Sequence, residues 1–155
     1  MGTSTQLPMK VSRAWAPRAD IAPETARGDG TYTITSNGSA GCYGGWDLVY
    51  PALDAGRWVR FRVKVSWQDL ERSYDSVNAA LVWLDADDKM VGWEPIFPTQ
   101  VKSGKVHYEL RAETPAGAAV AVARLLMAHS SRGQIEWSEP VIAPAAKPRA
   151  RRVRQ

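Results

Sequence analysis

An all-β fold, an antiparallel β-sandwich of the jelly-roll kind in a single domain, is what this sequence predicts, and three observations carry that prediction. Residues 57 to 67, RWVRFRVKVSW, alternate almost without a break: Val59, Phe61, Val63, Val65 and Trp67 fall on one side, and Trp58, Arg60, Arg62, Lys64 and Ser66 on the other. A period of two held this long means a strand with one buried and one wet face. Apolar or alternating segments then recur at intervals of roughly 8 to 14 residues, separated by Gly, Pro, Asn and Asp. Finally, no segment shows a sustained helical period with caps, apart from the short QDLERSY piece.

Taken in order, VSRAWA (11 to 16) is a first strand, followed by a loop rich in Pro, Asp and Gly. TYTITS (31 to 36) is β-branched and alternating, and stops at Asn37-Gly38. GWDLVY places Trp46, Leu48 and Tyr50 on one face before Pro51 ends it. After the long strand at 57 to 67, VNAALVWLDA (77 to 86) is apolar on both faces at its centre, and Asp87-Asp88 turns it into a short return strand, KMVGWEP. KVHYELRA (105 to 112) sets Val106, Tyr108 and Leu110 against Lys105, His107, Glu109 and Arg111. Pro115-Ala116-Gly117 turns the chain into AAVAVARLLMA (118 to 128), whose alanines favour a helix but whose Val120, Val122 and preceding turn tip it to a strand. QIEWSEPVI (134 to 142) is the last.

Composition bounds the rest. The chain of 155 residues is long enough for one proper core and short for two. Its formal charge of +4 is unevenly placed. Lys147, Arg149, Arg151, Arg152 and Arg154 follow the last acid, Glu139, so taking those five from the total leaves the body near −1. By charge the body is not a nucleic-acid binder, and nothing in the Pro-Arg tail reads bases. The divisions expected are an N-terminal tail over 1–10, the sandwich over 11–143, and a basic linker or the start of a following domain over 144–155. A single Cys42 excludes an internal disulfide, and no apolar run reaches the roughly 18 residues of a membrane span. The location expected is extracellular or periplasmic, with any export signal outside this stretch; no membrane partner is expected, and the protein is expected to be a monomer.

Catalytic signatures are missing from the pattern. His107 lies in a strand's polar register and His129 in a loop; a Cys42, His129 and Glu136 triad is arithmetically conceivable, but a small loop cysteine is the better reading. Asp85, Asp87 and Asp88 cluster in one turn, where they suit turn capping or a cation better than acid and base across a sugar ring. There is no phosphate-binding glycine loop and no His/Cys metal spacing. The domain is therefore read as non-catalytic.

The order of segments resembles a known family. AWAPRADIAPE, then GDGTYTITSNG, GCYGGWDLVYPALDAGRWVRFRVKV, ALVWLDADDKMVGW, AETPAGAAVAVARLLM and GQIEWSEPVI look like the galactose-binding-like jelly rolls. These include many carbohydrate-binding modules attached to glycan-active enzymes and domains that precede carbon-nitrogen hydrolase domains. The likeness covers roughly residues 11 to 143, with Asp88-Lys89 where Asp-Gly is common and Glu139 where an aspartate is more usual. It implies carbohydrate as the partner and a covalently linked catalytic domain. The alternative it leaves open is an accessory domain that packs on a neighbour and binds no free glycan.

A pyranose needs an aromatic platform flanked by fork-like donors and carboxylate acceptors. The candidates are Trp46, Trp58, Trp83 and Trp93 with Arg60, Arg62, Asp85 and Arg124, on the expectation that strands 57–67, 77–86 and 118–127 lie side by side in one sheet. Trp83 is balanced between core and platform, whereas Trp67 and Trp137 read as core. Arg124 is the only charge in an otherwise apolar strand, so it must meet an acid, Asp85 or Glu109, or line a cleft. No cofactor is expected beyond a structural calcium, which the resemblance implies would tie the first loop to the last strand through Asp20, Glu24, Asp29 and Glu139.

Overall fold

In the computed structural model, which describes residues 5–149, ten strands follow one another antiparallel: β1 Val11–Trp15, β2 Glu24–Arg27, β3 Thr31–Thr35, β4 Tyr43–Pro51, β5 Trp58–Gln68, β6 Val77–Leu84, β7 Met90–Lys102, β8 Lys105–Glu113, β9 Val120–Ala128 and β10 Gln134–Ala145. They run in the spatial order β1-β4-β9-β6-β7-β8-β5-β10-β3-β2. The first half of β7, Met90 to Ile96, pairs with β6, and the second half, Phe97 to Lys102, pairs with β8. This one strand thus passes from one layer of the sandwich to the other, with Pro95 and Pro98 at the crossing. QDLERSY yields only one helical turn, α1 Ser73–Ser76.

Between the layers the alternations pack as their spacing requires. Val59, Phe61, Val63 and Val65 of β5 meet Leu48, Leu81, Trp83, Leu125 and Met127 of the opposite sheet, with Ile34, Trp137 and Ile142 beside them, all at most 2 % exposed. The double-sided apolar character of β6 and β9 has a second cause: Val49, Val82 and Val122 form a small buried cluster on the outer face of the β1-β4-β9-β6-β7 sheet. Glycine is required where β4 runs between β1 and β9. A Cβ on Gly45 would strike the Leu125 carbonyl and come within 2.7 Å of Ile34 Cδ1.

Five expectations are corrected. Strands β6 and β9 are neighbours, but β5 lies in the other sheet, between β8 and β10. The return strand KMVGWEP is not short: β7 continues through IFPTQVK to Lys102, and its two prolines are tolerated because each half of β7 is the last strand of its layer. The loop after β1 contains the short edge strand β2. Residues 7 to 10 are not a free tail: Leu7 N donates to Ile142 O at 2.9 Å, Lys10 N to Val49 O at 2.7 Å, and Leu7 and Met9 pack on the core. At the other end β10 continues two residues past the expected boundary, with Pro144 opposite Val59 and Ala145 opposite Trp58. Arg151, Arg152 and Arg154 lie outside the described residues.

Candidate ligand-binding site

The wet face of β5 survives tertiary folding intact. Trp58, Arg60, Arg62 and Lys64 point outward from the centre of the β7-β8-β5-β10-β3-β2 sheet, and beside them the outer residues of β8 are Glu113, Arg111, Glu109 and His107 in register. Over these strands runs a groove of about 420 Å³ lined by Arg60, Arg62 and Lys64 of β5, His107 and Glu109 of β8, and Gln100 and Lys102 of β7, with Glu139 on its far bank. Arg60 pairs with the Glu109 carboxylate, diagonally across the two strands. Lys64 Nζ meets Glu139 at 2.6 Å, in a bulge where Glu139 takes φ 52. That contact, helped by Lys105 and His107, holds the Glu139 carboxyl below the usual carboxylate range. Burial, and then the Arg62 and Arg111 guanidiniums, lower the pKa of Arg60.

Of the other residues the sequence singled out, most lie elsewhere. Trp83 is 1 % exposed and Trp46 is buried, its Nε1 donating to Thr33 O at 3.1 Å and its ring edge-on to Tyr32 at 5.4 Å; both are core rather than platforms. They occupy the inward register of β6 and β4, the side that faces the second sheet. Trp93 is exposed, but on the outer face of the opposite sheet, opposite Val82. Asp85 is a turn former, its Oδ1 accepting from Asp87 N and Lys89 N at 2.9 Å each, while Asp88 itself takes the left-handed φ of 61 that a glycine would otherwise supply.

Arg124 also faces away from the groove. It donates from Nε and Nη2 to the two oxygens of Asp47, at 2.9 and 3.1 Å, and its guanidinium carbon lies 3.7 Å from the centre of the Trp15 ring. Its acid is Asp47, directly opposite on β4, and neither Asp85 nor Glu109. The half-buried guanidinium is satisfied on both its fork and its face.

Asp20, Glu24, Asp29 and Glu139 are not gathered into a cation site. Asp20 meets Arg18 at 3.3 Å, and among the described residues no three His, Cys, Asp or Glu side chains are placed to share an ion. The first loop and last strand do meet, through Glu139 N donating to Gly30 O at 3.1 Å, but the charge facing the Glu139 carboxylate is the Lys64 ammonium. Cys42 and His129 are joined through their backbones, His129 N to Cys42 O at 2.7 Å; the thiol is wholly buried while the imidazole is exposed, so they form no nucleophile and base.

Sequence reasoning missed Gln100, Lys102 and the groove role of His107. The alternation of β8 already put His107 on a wet face, but nothing in the sequence paired that face with β5.

Solved structures share this antiparallel jelly-roll sandwich at low sequence identity. A CBM4 module superposes with a TM-score of 0.53 at 10% identity, covering 86% of this chain and 78% of its own. The CBM22-1 xylan-binding domain of Paenibacillus barcinonensis Xyn10C gives 0.53 at 11%, covering 93% and 100%. The enzymatically active domain of tailspike protein 4 of bacteriophage CBA120 gives 0.60 at 12%, but this chain spans only 19% of that chain while 86% of it is covered. No family model matches the sequence, and neither does any curated protein.

Proposed function

We propose that this domain is a non-catalytic carbohydrate-binding module that holds an attached enzyme near a poly- or oligosaccharide, with the sugar lying in the groove over β5, β8 and the second half of β7. The observation that carries the reading is the groove itself: a channel of about 420 Å³ whose lining offers guanidinium forks, an imidazole, an amide and carboxylates from the neighbouring strands β7, β8, β5 and β10. Trp58 extends the same row one register step beyond Arg60 and gives the channel an apolar end for a ring face. The fold supports the reading, since the CBM22-1 neighbour is a xylan-binding domain. The test is a glycan array followed by titration of intrinsic Trp fluorescence. Trp58→Ala and Arg62→Ala should each weaken binding with a stability change within about 0.5 kcal/mol. Binding that survives both substitutions would remove the groove from the account.

A second reading is favoured by one observation. Met90, Val91, Trp93, Phe97 and Val101 are all exposed by 36 % or more, and all lie on β7. A strip of apolar side chains along one edge strand suits an accessory domain packing on a neighbour. Loss of exposure along β7 in a longer protein, read by hydrogen exchange, would support it.

A further inference from the structure

We infer that the groove takes an anionic saccharide, one carrying uronate carboxylates or sulfates, in preference to a neutral one. The inference rests on the glycan-binding reading of the same groove and adds the chemical class of its ligand.

Five bases line the channel, Arg60, Arg62, Lys64, Lys102 and His107, against two acids, Glu109 and Glu139. Both acids are already engaged, Glu109 by Arg60 and Glu139 by Lys64. Among the described residues Arg62 has no carboxylate within 4.0 Å, and neither has Arg111, which stands directly opposite Arg60. Of the three guanidiniums on this face, Arg60, Arg62 and Arg111, only Arg60 is paired with the Glu109 carboxylate. An incoming anion would give the unpaired Arg62 fork a charged partner, which a neutral hydroxyl cannot supply. Lys102 stands opposite Lys105 at the far end, so excess positive charge continues along the channel rather than ending at one point.

The aromatic inventory leads the same way. Neutral sugars depend on exposed indole or phenol faces, yet no Trp lines this channel and its one tyrosine, Tyr108, is a core residue 2 % exposed; Trp46 and Trp83 are core, Trp93 is on the other sheet, and Trp58 is only at the margin. Directional forks are what the channel has in quantity, and an arginine fork matches the two oxygens of a carboxylate or sulfate. The positive field is local, because the body of the domain carries a net charge near −1. A surface built for nucleic acid would be basic more broadly.

Affinity electrophoresis and calorimetric titration test this with polygalacturonate, dextran sulfate, unsubstituted dextran, neutral xylan and polyglutamate. The expected result is binding to polygalacturonate or dextran sulfate, with the neutral polymers and polyglutamate weaker by about tenfold or more. Raising the ionic strength from about 50 to about 300 mM should weaken binding. Arg62→Gln should weaken it by about tenfold or more without moving the melting temperature, and Arg62→Lys, which keeps charge but loses the fork, should fall between. Lys89→Gln, in the Asp85–Lys89 turn of the other sheet, should change nothing. Neutral glycan bound equally well and unaffected by Arg62→Gln would overturn the anionic class while leaving the module reading standing. Polyglutamate bound as tightly as the acidic glycans, or equal weakening by Lys89→Gln, would reduce the effect to unspecific charge and overturn the inference. Binding to no saccharide at all would remove both readings.

Discussion

Removing the Arg124 guanidinium tests how the apolar β9 strand tolerates a charge. Arg124→Met keeps the length and apolar stem but strands Asp47, whose side chain is 3 % exposed against 17 % for Arg124. Breaking a buried pair by removing one partner costs about 3 to 5 kcal/mol, because the remaining charge is left unpaired in a poor solvent. The contact with the Trp15 face, 3.7 Å from the guanidinium carbon to the ring centre, is lost with it. Since Arg124 retains some water contact, the lower end is expected, about 3 kcal/mol, which in a domain of this size lowers the melting temperature by roughly 6 to 12 °C. Urea denaturation at neutral pH, followed by far-ultraviolet circular dichroism so that the change at Trp15 does not distort the signal, measures it. The double variant Asp47→Leu with Arg124→Met should recover most of the loss, since two apolar groups replace the pair without an orphaned charge. A loss below about 1 kcal/mol for the single variant, or a double variant no better than the sum of its singles, would refute the assignment of this pair as buried and coupled. Saccharide binding by the folded Arg124→Met protein should be unchanged, because Arg124 and the groove lie on opposite faces.

Three further outcomes are expected. Glu94 has an oxygen buried without a partner among the described residues, and burial raises its carboxyl above the usual range. Its ionisation therefore opposes folding, a cost absent below the unfolded value of about 4.3 and felt as pH rises through the folded one. Glu94→Gln should raise the melting temperature at pH near 7 and do little near pH 4, and equal effects at both would contradict this. Gly45→Ala drives a Cβ toward the Leu125 carbonyl and Ile34, so chemical denaturation should show a loss of about 1 to 3 kcal/mol. Trp83→Ala should cost about 3 to 5 kcal/mol by the same measurement, in contrast to the small effect of Trp58→Ala, because one indole fills the core and the other stands at the surface.

The alternation of β5 was enough by itself to determine which of its side chains are dry and which are wet, since a period of two leaves a strand only two faces. The same logic made β3, β8 and β10 legible, and the all-β class with them. It failed where a residue's neighbour comes from far along the chain. Trp46 and Trp83 occupy registers that are clear in the sequence, but which register faces the second sheet is a property of both sheets together. Asp47 and Arg124 are 77 residues apart and meet only because β4 and β9 pair in one register. The second half of β7 was hidden by Pro95 and Pro98, which are compatible with a strand only at a sheet edge, and edges exist only once the sheets are assembled. Composition and period act within a few residues; pairing order, and with it the choice of which basic faces share a groove, is set by the packing of two layers whose contacts are almost all distant in sequence.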